Sequence, residues 1–186
     1  MHKYLLLILT IFLTAVISQT SFAQNKEDVF IGYTIPDDPN MMFYIQKNIN
    51  PNTIVYALNL GADGKIDPKK PMEVFWRRYE KENGIKKELG WLEKTFAFDF
   101  KVKPVKDKEN TYVFSLVAMK GKQLYVTQTK TGKPNVFMKI SGQIARLERI
   151  YVMVDDSKRI HSVNAMELFG RDYKTGKLIY EKIVKD

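Results

Sequence analysis

Short runs in which apolar and polar residues alternate with a period of two recur along almost the whole chain, separated by turns rich in Gly, Asp, Asn and Pro. Alternation of this kind gives an extended strand one apolar face, and a helix cannot use it. The pattern predicts strands at 30–35, 42–47, 53–60, 72–79, 97–103, 112–118, 123–129, 135–141, 144–154, 160–169 and 178–184. That number of strands is enough to build a closed core. The expected fold class is therefore mainly β, an antiparallel β-sandwich or barrel-like meander. One short helix is expected near 88–96, where Leu89, Leu92 and Phe96 fall at helical spacing in ELGWLEKTF.

The turns fit this picture. Tyr173–Lys177 (YKTGK) suits a hairpin loop with Gly176 in the left-handed region, and Lys130–Lys133 repeats the K-T-G-K string. Short reversals join sequential antiparallel neighbours, so the carboxy-terminal half is expected to be a meander. In Tyr112–Ala118 (YVFSLVA) neither face is strongly polar, which predicts a central strand covered on both sides.

The amino terminus reads differently. Lys3 precedes an uncharged apolar run from Tyr4 to Ser18, and Ser21 and Ala23 supply the small residues of a peptidase site. The run is shorter than the roughly 20 residues that span a bilayer as a helix. Residues 1–23 are thus expected to be a signal peptide and 24–186 a single β-rich domain, exported to the periplasm or the extracellular space without a stable membrane span. The chain contains no cysteine, which excludes disulfides and a lipidated cysteine. Its net charge of +9 comes mostly from scattered lysines. Scattered lysine reads first as a solvated surface with protected strand edges, and second as a surface for an acidic partner reached after export, cell-envelope glycan or anionic lipopolysaccharide. Nucleic acid is not expected, because its binders gather basic and aromatic residues on one face.

Few segments carry chemistry. Asn59–Pro71 (NLGADGKIDPKKP) has Asn59, Asp63, Gly64 and Ile66 at calcium-loop positions, but Gly61 and Lys70 stand where two further ligands belong. Lysine cannot coordinate a cation, so the stretch reads as a bend between strands, and neither metal nor cofactor is expected. Beyond the leader the only histidine is His161, which rules out histidine-cluster metal sites. No G-x-S-x-G elbow or Gly-rich phosphate cradle is present. Glu93, Glu148 and Glu167 lie in apolar surroundings and are the acids a sugar hydrolase would need. Glu148, between Arg146 and Arg149, reads as half of an ion pair.

The aromatic candidates are Trp76 and Trp91. Trp91 is expected to form a lid over one end of the core, or else a platform for a sugar ring. Arg78 shares a strand face with Trp76 and is expected to draw that face toward solvent. On this reading Trp91→Ala destabilises more than Trp76→Ala. The candidate ligand-binding residues are Trp76, Arg78, Trp91 and Glu93.

Three strings, Phe43–Tyr56 (FYIQKNINPNTIVY), Leu89–Ala97 (LGWLEKTFA) and Ile140–Val152 (ISGQIARLERIYV), together resemble an uncharacterised domain-of-unknown-function family of secreted Bacteroidota proteins. The resemblance implies secretion and assigns no activity or catalytic residue. The expected role is non-enzymatic, in binding or at the envelope, and the alternative is a glycan hydrolase using two carboxylates.

Overall fold

The structure, a computed structural model, describes residues 33–48, 50–119, 121–129, 131–155, 157 and 162–184. The expected signal peptide and His161 lie outside these residues. Residues 36–186 form one compact unit, and the description below is of that unit.

The unit is a single curled, open sheet of 11 strands, a half-barrel. A first meander runs through β1 (Met41–Lys47), β2 (Asn50–Leu58), β3 (Met72–Arg78) and β4 (Ile85–Glu88). A second runs through β5 (Phe100–Pro104), β6 (Thr111–Leu116), β7 (Leu124–Gln128), β8 (Pro134–Ile140) and β9 (Gln143–Asp155). The chain ends in the hairpin β10 (Ser162–Asp172) and β11 (Leu178–Val184). Two short helices, α1 (Tyr79–Glu82) and α2 (Trp91–Glu93), interrupt the strands, and α2 passes into one π-helical turn, Lys94–Phe98. Among the described residues no helix is long and apolar enough to cross a membrane.

β9 is the spine because its 13 residues are long enough for three partners. Its first residues pair with β8, as in Phe137 with Arg146, and its later ones pair in parallel with β1, from Tyr44 with Arg149 to Lys47 with Val152. β10 runs antiparallel along the opposite edge. The β8 and β1 wings therefore leave the same edge of one strand. Between them β9 bulges: Phe169 faces Arg149 and Gly170 faces Leu147, which leaves Glu148 without a partner in the ladder. A bulge bends and twists its strand.

The two wings bury a common core. Phe43 of β1 stacks on Tyr56 of β2 at 4.6 Å between ring centroids and meets Phe114 of β6 at 6.2 Å. Tyr56 also meets Phe100 of β5 edge-on, and its hydroxyl donates to the Phe98 carbonyl at 2.8 Å. Burial drives the Tyr56 phenol well above its usual pKa, with Asp99 adding to the rise, so the hydroxyl remains a donor.

The expected strands are found, with informative exceptions. Of the strand expected at 30–35, residues 30–32 lie outside the described residues, and Tyr33–Ile35 are not in a strand. The strand expected at 97–103 starts later, at Phe100, because the π-helical turn takes its first residues. β4 (IKKE) and α1 were not expected, since β4 is exposed on both faces and offers no alternation. The expectation that Tyr112–Ala118 is covered on both sides is corrected: in β6 Tyr112, Phe114 and Leu116 are buried, while Thr111, Val113 and Ser115 are half-buried. Two-sided burial belongs instead to β1 and β2, where Tyr44, Val55 and Ala57 are buried opposite the main core.

Asn59–Pro71 is a bend between β2 and β3. Gly64 is left-handed, Leu60 and Ile66 form an isolated bridge, and the Asn59 N–H donates to the Pro71 carbonyl. The Asp63 and Asp67 carboxylates accept the Lys65 and Lys69 backbone N–H groups at 3.0 and 2.8 Å. Both are local turn caps.

One carboxylate ties the second wing to the terminal hairpin. Glu181 of β11 accepts from Lys122 Nζ at 2.7 Å and from the Ser141 N–H at 2.8 Å. Burial pushes its pKa up, but the Lys122 and Ser141 hydrogen bonds outweigh burial and hold it below the usual carboxylate range. A lowered folded pKa contributes stability above the unfolded value, near 4.3, that disappears as pH falls through the folded one. Glu181→Gln should therefore cost about 1 kcal/mol at neutral pH. In urea melts across pH, the gap to the parent protein should close below about pH 4. A gap that is independent of pH would mean that the carboxylate charge plays no part.

Candidate functional site

The sequence candidates meet at the end of the first wing. Trp76 of β3 follows Met72 and Val74 on the core face, and only 4% of it is exposed. Its indole N–H donates to Glu93 Oε2 at 3.1 Å, and the same oxygen accepts the Gly90 N–H at 2.9 Å. Glu93 thus fastens α2 to β3 and caps its first turn. The Trp76 ring meets Phe98 edge-on at 6.1 Å, and Arg78 lies across it at 5.7 Å.

Lys47 completes the cluster. Its ammonium lies 4.9 Å from the Trp76 ring centroid and 5.4 Å from that of Phe98. Burial pulls the Lys47 pKa below its ordinary value; the Glu93 carboxylate opposes that shift, and Arg78 adds to it. The period-two pattern held this signal, because Lys47 continues the core face of Phe43 and Ile45.

Trp76, Arg78 and Glu93 are therefore brought together, and Trp91 stands apart from them. Trp91 is 71% exposed and Leu92 is 54% exposed, both at the tip of α2. The expected roles of the two tryptophans are reversed. Gly90 is the cap and the helix starts at Trp91, so the residue that turns inward is Leu89, buried just before the cap. Arg78 reaches solvent from the strand end by lying over the Trp76 ring, without exposing it.

The other two acids have separate partners. Glu148 binds Arg146 and Arg171, each at 3.1 Å. Arg149 lies over the Phe169 ring at 4.4 Å. Glu167 accepts from the Tyr180 hydroxyl at 2.6 Å and is 3.9 Å from Lys182 Nζ. Burial and the Glu167 carboxylate both drive the Tyr180 phenol above its usual pKa.

A further concave surface lies elsewhere, on the outward face of the second wing. It is a trough of about 1120 Å³ lined by Lys108, Ser115, Tyr125, Phe137, Lys139 and Tyr173 among others.

Fold and site together define an open β half-barrel domain that carries an outward tryptophan on a short, pinned helix. Residues 43–182 match the family described as a domain of unknown function, DUF4833, and the chain belongs to that family. No curated protein and no solved structure matches it.

Proposed function

We propose that this protein is exported and acts at the cell envelope by binding, without catalysis, and that Trp91 is its platform for an envelope sugar. One observation carries this reading: Trp91 presents 71% of its surface to solvent from a helix whose base is held by the Glu93 bonds to Trp76 and Gly90. An exposed indole offers a flat apolar face on which a pyranose can stack. The ligand class is cell-envelope glycan or anionic lipopolysaccharide, in keeping with the basic composition. Export is supported by Lys3, the apolar run to Ser18 and the Ser21/Ala23 pair. Binding is favoured over hydrolysis because Glu93, Glu148 and Glu167 are each engaged by different partners.

The test is retention on immobilised lipopolysaccharide and on a glycan array. The parent protein should be retained, and Trp91→Ala should lose at least about tenfold in affinity, as central aromatic contacts do. Its melting temperature should not change. A parent protein retained by neither, or an unaltered Trp91→Ala, would refute the platform.

A further inference from the structure

We infer that the outward face of the β5–β8 wing is a second binding site, for a linear polyanionic glycan, independent of Trp91. Strand register builds this face as parallel rows. One row crosses four ladders, from Lys103 to Val113, Tyr125, Phe137 and Arg146. A polar row, Thr111, Thr127 and Asn135, lies on one side of it. On the other side Lys101 faces Ser115, and Lys139 faces Ile144. Rows in a sheet advance by about 4.8 Å per strand, comparable with the length of one pyranose.

The centre of the face is aromatic and open. Tyr125 is 45% exposed, and Phe137 packs edge-on at 5.6 Å against Tyr173, which is 68% exposed. Rings set among threonine, serine and asparagine side chains offer both the stacking surface and the hydrogen-bond partners that a sugar uses. The sheet behind them is continuous, so these groups are held on rigid elements.

Charge identifies the ligand class. The trough lining contains lysines and no carboxylate. Lys122 is neutralised by Glu181, and Arg146 by Glu148. Lys101, Lys103, Lys108 and Lys139 make no ion pair among the described residues. A face that is merely solvated mixes both signs of charge. Here uncompensated lysines flank an aromatic row, which suits a chain carrying carboxylate, sulfate or phosphate groups along its sugars.

Affinity electrophoresis in native gels containing polygalacturonate or dextran sulfate, with dextran as the neutral parent polymer, tests the site. Both polyanions should change the protein's mobility in a salt-sensitive way, and dextran should not. Lys139→Glu and Tyr125→Ala should each weaken the effect about tenfold. The milder Lys139→Ala and Tyr125→Leu keep the test valid if either first variant melts early. Trp91→Ala should bind the polyanions like the parent, so loss of the Trp91 platform and loss of this site are told apart. The inference fails if neither polyanion shifts the protein or if dextran shifts it equally. It also fails if polyphosphate binds as well as the glycans with Tyr125→Ala unimpaired, or if the face proves to be covered by a second copy of the chain in sedimentation.

Discussion

Trp76→Ala should lower the unfolding free energy by about 3–5 kcal/mol, the range for large aromatic truncations in cores. Trp91→Ala should change it by no more than about 0.5 kcal/mol. The difference follows from exposure, 4% against 71%. Removing the Trp76 indole empties the space beside Phe98 and also leaves Glu93 without one of its two donors. Lys47 and Arg78 would lose the ring face that each of them covers. Removing Trp91 uncovers little, because most of its surface is already in water. Trp76→Phe separates the contributions: it keeps most of the packing but not the N–H donated to Glu93, and should fall between the two. Urea melts of the three variants decide the matter. A larger loss for Trp91→Ala would place the core on the wrong side of β3.

Gly170→Ala should cost about 3 kcal/mol, at the upper end of overpacking penalties. A Cβ at this position would sit 2.5 Å from the Arg146 carbonyl oxygen and 2.7 Å from Ile140 Cδ1. The isoleucine methyl can rotate away, but the backbone oxygen cannot move without opening the β9 bulge. Ile140→Val should therefore fail to rescue the variant. Gly132 is a useful control: it is left-handed at φ +81°, with open space around its Cβ position. Gly132→Ala should cost about 1 kcal/mol from backbone conformation alone. If denaturant melts show Gly170→Ala to be as mild as the control, the close approach of β10 to β9 is not a requirement of the fold.

β6, β7 and β8 were legible because each buries one face, which writes the period of two directly into residues such as Tyr112, Phe114 and Leu116. β4 was not, because all four of its residues are exposed and only ladder bonds to β3 define it. The parallel contact of β1 with β9 leaves no local trace, since Tyr44 and Arg149 are chosen for each other by the whole fold. The site was half legible. Residue chemistry singled out Trp76, Arg78 and Glu93, and the structure brings them together. The spacing of Leu89, Leu92 and Phe96 suggested a helix spanning Gly90, whereas the glycine caps it, and that shift of start turned Trp91 outward. The lysine-flanked aromatic row was invisible, because it exists only once the register of five strands is known.

The seam between the wings also sets an order of events during synthesis. Asn48 donates to the Val154 carbonyl and accepts its N–H, a tie spanning 106 positions. Topologies dominated by such distant pairings fold slowly, because the loop must close before any contact repays it. The first wing emerges from the ribosome while its future neighbour is still untranslated, and the edge of β1 stays open until β9 arrives. An unpaired edge beside the apolar residues of β1 and β2 is a template for pairing with other chains. The interval between making β1 and completing β9 is therefore the period in which a nascent molecule of this family is most vulnerable to misassociation.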